Sequence, residues 1–133
     1  MTTVKFEVLK GQTLVDIHAD DAEITFITKE GNSYKMYHDQ DCCENVRIDA
    51  VVGDWKDLLG NPLLMAEEST NHDNPPKNAE RYLWTFYKLA TIKGYVDIIW
   101  LGESNGYYSE SVSLVKGRAY NKDEIGALIA RIK

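Results

Sequence analysis

The sequence predicts an α+β fold made mainly of antiparallel β-sheet, and three observations carry that expectation. Apolar and polar residues alternate with period two in successive short runs, Gly- and Asn-containing connections of hairpin length separate those runs, and one stretch near the C-terminus has helical spacing instead. The specific architecture expected is roughly seven strands in a rolled sheet or open barrel closed by the helix, as a single domain over residues 1–133.

Val4, Phe6 and Val8 alternate along a first strand that Lys10-Gly11 ends, and Thr13 to His18 is extended as well. Glu23–Thr28 and Ser33–His38 flank Lys29-Glu30-Gly31-Asn32, whose Gly and Asn accept the positive φ of a tight hairpin. Val46–Val52 is the next strand, stopped at Gly53-Asp54. Asp54 then caps a short helical turn through Trp55, Leu58 and Leu59, with Gly60 as its stop and Pro62 barring continuation. Leu63–Glu67 reads as extended, and Glu68–Asn78, with Pro75-Pro76, as a long exposed loop.

From Arg81 the β signal strengthens, with Tyr82, Trp84 and Phe86 on one strand face and Leu83, Thr85 and Tyr87 on the other. Gly94 breaks the chain before Tyr95–Leu101. Asn105-Gly106, a preferred hairpin pair, predicts that this strand and Tyr107–Val115 are partners. Asn121 begins a helix in which Ile125, Leu128, Ile129 and Ile132 form one apolar stripe, with Glu124 placed for a capping box. That stripe is expected to cover a sheet face.

With 44% hydrophobic and 27% charged residues, the 133-residue chain has the composition of an ordinary globular protein. Its formal charge of -6 argues against a general polyanion binder, which needs clustered Lys and Arg. The Asp39–Glu44 and Glu67–Asp73 stretches are acidic whereas Arg81–Lys93 is basic, so a dipolar surface follows if these sort onto different faces. Lys5, Glu7, Lys10 and Asp16 interrupt the apolar positions of the N-terminal stretch, which fits neither a secretory core nor a membrane span, and the expected location is cytoplasmic. Cys42 and Cys43 are adjacent, a spacing at which a normal disulfide does not form.

The densest polar motif is His38-Asp39-Gln40-Asp41-Cys42-Cys43-Glu44. A soft divalent metal has His38 with Cys42, or Asp41 with Cys43, as ligands, but no second cysteine pair completes a structural zinc set. A thiolate activated by His38 is another reading, and a bend with both thiols packed inside is a third. Glu67, Glu68 and Glu103 form an acid–base pair only if the fold brings two together. Tyr82, Trp84, Phe86, Tyr87, Tyr95 and Trp100, beside Arg81, Lys88 and Lys93, suit either a stacking platform with positive edges or plain core packing. No phosphate-binding Gly-rich loop, nucleophile elbow or HExxH motif occurs.

Tyr34–Glu44, Gly53-Asp54, Asp57–Leu64, Ala66-Glu67-Glu68, Trp84–Lys88, Lys93-Gly94 and the run GESNGYYSE over 102–110 together resemble a small family of phage and prophage proteins of unknown function. The resemblance covers residues 10 to 115 approximately. It implies a setting rather than a reaction: an accessory factor, of the kind that counters host defence, acting in the host cytoplasm by binding a host protein or sequestering a small nucleotide. The residues expected to bind are His38, Asp39, Gln40, Asp41, Glu67, Glu68, Lys88, Lys93, Trp100, Glu103, Asn105 and Tyr107, with no catalytic residue, metal or cofactor. Neither membrane nor general nucleic-acid binding is expected, and a homo-oligomer stays open. The alternative is a small cysteine- or metal-dependent hydrolase using the His38–Glu44 cluster.

Overall fold

The alternating runs become strands that sort into two antiparallel sheets in the computed structural model, which describes residues 2–38, 44–71, 81–104 and 112–132, with Glu44, Asn71, Arg81 and Ser104 described by backbone alone. Sheet I has the order β1 (Thr2–Val4), β9 (Ser113–Lys116), β4 (Ser33–Tyr37), β3 (Glu23–Thr28), β2 (Leu14–Ala19). Sheet II has the order β5 (Glu44–Val52), β8 (Gly94–Ser104), β7 (Arg81–Thr91), β6 (Met65–Asn71). One helix, α1 (Lys122–Ile132), follows. The α+β class and the C-terminal helix are as the sequence implied, but the sheets are separate rather than closed into a barrel.

The inner faces share one core. Ile24, Phe26, Met36 and Leu114 of sheet I meet Val46, Ala66, Tyr87, Leu89, Val96, Ile98 and Trp100 of sheet II. Each such aliphatic or aromatic side chain, once buried, contributes about 1.5–3 kcal/mol. At one corner Ile48 N–H donates to Asp21 O (3.2 Å), joining β5 to the turn after β2. On the outer face of sheet I, Val15 and Ile27 pack with Ile125, and Leu128, Ile129 and Ile132 lie against them. The apolar stripe of α1 therefore covers sheet I. Its start is fixed by the capping box, in which Glu124 N–H donates to Asn121 Oδ1 (2.9 Å) and Asn121 N–H to Glu124 Oε1 (3.1 Å).

The expected hairpin of β3 and β4 forms, with Ile27 opposite Ser33 and Gly31 at φ 95° in the turn. Three local expectations are corrected. Phe6–Leu9 is a 3₁₀ turn, because burying Phe6 and Leu9, three residues apart, leaves Val8 outside. Glu68–Asn71, read as loop, extends β6, since pairing with Tyr87–Trp84 satisfies its backbone although its side chains are polar. The last strand does not pair with β8: both edges of β8 are taken by β5 and β7, and β9 lies between β1 and β4 in sheet I. Asp54 does cap the following turn, its carboxylate accepting Lys56 N–H at 3.0 Å, but Trp55–Leu58 is a 3₁₀ helix.

Candidate functional site

The two sheets differ on their outer sides. Sheet I carries α1, whereas no helix among the described residues packs on the outer face of sheet II. Strand register lays that face out in rows. Glu67, Lys88, Asp97 and Val52 stand side by side across β6, β7, β8 and β5; Ser69, Phe86, Ile99 and Ala50 form the next row. Beyond these, Trp84, Leu101 and Arg47 align, and then Tyr82, Glu103 and Asn45. A charged row thus borders an apolar floor, with a second charged pair, Arg47 and Glu103, on its far side.

Glu67, Glu68, Ser69, Phe86, Lys88, Asp97 and Ile99 line a shallow groove of about 460 Å³ on this face. Lys88 Nζ lies 4.0 Å from Asp97 Oδ1 and 5.9 Å from the centre of the Tyr95 ring. Half-exposed and long, the Lys88–Asp97 pair contributes at most about 1 kcal/mol. Arg47 Nη2 is 3.5 Å from Glu103 Oε1. Two charged atoms on the face are shielded yet lack a hydrogen-bond partner, Asp97 Oδ1 and Arg47 Nη1. Such atoms cost free energy until water or a binding partner satisfies them.

The structure brings three of the sequence-nominated residues, Glu67, Glu68 and Lys88, into the groove. Glu68, whose neighbours in β6 point outward, also interacts with the Tyr87 hydroxyl. Glu103 lies on the same face but two rows away. Lys93 sits apart, exposed in the turn joining β7 to β8. Trp100 belongs to the core: it is 1% exposed, and its indole N–H donates to Met36 Sδ. Tyr87 is also buried, which divides the aromatic set into Tyr82, Trp84, Phe86 and Tyr95 outside and Tyr87 and Trp100 inside. His38 is half-buried just beyond β4. Asp39, Gln40, Asp41, Cys42, Cys43, Asn105 and Tyr107 lie outside the described residues. Asp97, Arg47 and Ile99 stand on the face as well; the alternation of Tyr95, Asp97 and Ile99 against Val96, Ile98 and Trp100 is the sequence signal that places Asp97 and Ile99 outward.

A family model described as a domain of unknown function, DUF7448, matches residues 7–114. The chain belongs to that family. No curated protein and no solved structure matches it. Within the DUF7448 match fall both sheets apart from β1 and the last residues of β9, whereas α1 follows it. Among the described residues no helix is long and apolar enough to cross a membrane, and no group of three or more His, Cys, Asp or Glu is arranged to hold a metal ion.

Proposed function

We propose that this DUF7448 protein is a non-enzymatic phage accessory factor, of the anti-defence kind, that binds a host protein in the host cytoplasm through the outer face of sheet II. The observation that carries the binding mode is the charged row Glu67–Lys88–Asp97 beside the Phe86–Ile99 floor, on the one sheet that has no described helix over it. Apolar floors rimmed by charge are what protein interfaces use, with the floor supplying affinity and the rim orientation. The phage setting rests on the motif resemblance set out above.

A protein partner suits the groove better than a nucleotide does. Glu67, Glu68 and Asp97 outnumber the single cation Lys88 in its lining, so a phosphate placed there is repelled. A partner offering Arg or Lys toward Asp97, and a carboxylate toward Arg47, satisfies the two unpartnered atoms.

The test is quantitative affinity capture from lysate of a bacterial host, comparing wild type with Lys88→Glu and Phe86→Asp, and with Lys29→Ala on the β3–β4 turn as a control. The proposal expects one host protein to be enriched by wild type and Lys29→Ala and lost with both face variants, each shown folded by circular dichroism. Equal enrichment by all four proteins overturns it.

A further inference from the structure

A cavity of about 450 Å³ on another part of the molecule gathers Lys56, Lys93 and Arg131 over a floor that includes Leu59 and Ile132. The three cations come from separate elements: the 3₁₀ turn after β5, the β7–β8 turn and α1. In a chain with 21 acidic residues against 15 Lys and Arg, some cations find carboxylates. Lys35, Arg47, Lys88 and Arg118 do so, at 4.0 Å or less. No such ion pair is found among the described residues for Lys56, Lys93 or Arg131, although mutual repulsion opposes placing them around one cavity.

Two carboxylates, Asp16 and Asp57, share this lining. Asp16 Oδ1 accepts Ile17 N–H at 3.0 Å, and its Oδ2 lies 2.8 Å from His18 Nε2 but is shielded without a hydrogen-bond partner. Asp57 is set against Gly94, where an added Cβ would stand 2.8 Å from Asp57 Oδ2. Three cations against two acids give the cavity a formal charge of +1, whereas Glu67, Glu68 and Asp97 against Lys88 give the sheet II groove -2.

We infer that this cavity is a binding site for a small phosphate-bearing molecule with an apolar group. Lys56, Lys93 and Arg131 would meet the phosphate oxygens through charge-assisted hydrogen bonds, Arg131 with the geometry for two at once, while Leu59 and Ile132 take the apolar part. The inference is independent of the protein partner proposed for sheet II.

Phenyl phosphate and inorganic phosphate, titrated into ¹⁵N-labelled protein at constant ionic strength, test it. Saturable amide shifts are expected around Lys56, Lys93 and Arg131, with phenyl phosphate binding more tightly than phosphate. The exposed side chains of Lys93 and Arg131 make the double variant Lys93→Ala/Arg131→Ala safe for folding, which its own spectrum verifies, and it should weaken binding at least about tenfold. Lys29→Ala should leave binding unchanged. Shifts that do not saturate, that centre elsewhere, that are the same in the double variant, or that weaken equally in Lys29→Ala overturn the inference.

Discussion

Trp100 donates its indole N–H to the sulfur of Met36 at 3.1 Å, a contact between the inner face of sheet II and that of sheet I. Both side chains are essentially without solvent exposure, so the hydrogen bond and the ring volume act together at the centre of the core. Trp100→Ala should destabilise the protein by about 3–5 kcal/mol, and Trp100→Phe by roughly 1–2 kcal/mol through the lost donor and part of the ring. Urea unfolding followed by circular dichroism measures both. A loss below about 0.5 kcal/mol in the alanine variant would place Trp100 at the surface, where a ligand-binding role requires it.

A second prediction concerns the β3–β4 turn. Gly31 sits at φ 95°, its carbonyl accepts Tyr120 N–H at 2.8 Å, and a Cβ added to it would collide with the Tyr120 carbonyl oxygen. The turn is thereby docked on the segment leading into α1. Gly31→Ala should cost about 2 kcal/mol or more, combining left-handed strain with the collision, whereas Gly11→Ala, at φ 86° with nothing within 4 Å, should cost only about 1 kcal/mol. Thermal denaturation of the two variants reads the difference, and equal losses would remove the docking contact from the account.

These relationships mark where the sequence was informative. Local alternation assigned Tyr82, Trp84 and Phe86 to one side of β7 and Thr85 and Tyr87 to the other, because side-chain direction depends only on neighbouring backbone. The stripe of α1 was legible for the same reason. Strand partnership was not: Asn105-Gly106 suggested that β9 folds back on β8, but which edge accepts a strand depends on the sheet already assembled, and β8 has both edges filled. Likewise Glu67 was legible only as one of a set of acids with Glu68 and Glu103, and Lys88 only as a positive edge to the aromatic strand. Their alignment with Asp97 is a property of register across three strands, set by contacts far apart in the chain.

The helix supplies a third prediction. Ile125 is buried against Val15 and Ile27, whereas Ile129 is half-buried at the margin of the same cluster. Ile125→Asp should therefore unfold or severely destabilise the protein, and Ile129→Asp should have the smaller, still clear effect. Asn121→Ala, which removes one half of the capping box, should cost about 1 kcal/mol. Melting temperatures ordered otherwise, with Ile129→Asp the worst, would mean that the helix presents a different face to sheet I.

The last prediction follows from the hydroxyl of Tyr87. Burial pushes its pKa far above the ordinary tyrosine value, and the hydrogen bond to Glu68 and the negative charges of Glu68 and Glu7 push it in the same direction. Below about pH 10 the folded and unfolded chains both keep this proton, so stability there is independent of it. Above pH 10 the unfolded chain releases the proton while the native protein retains it. The unfolded state then binds fewer protons, and stability falls as pH rises, by up to about 1.4 kcal/mol per pH unit from this one group. Tyr87→Phe should lose about 1 kcal/mol near neutral pH with the Glu68 hydrogen bond, yet decline less steeply than wild type between pH 10 and 12. Urea unfolding across that pH range gives the two slopes. A Tyr87→Phe slope as steep as wild type would show that the Tyr87 hydroxyl ionises in the folded protein, and would remove both its burial and its carboxylate neighbours as causes.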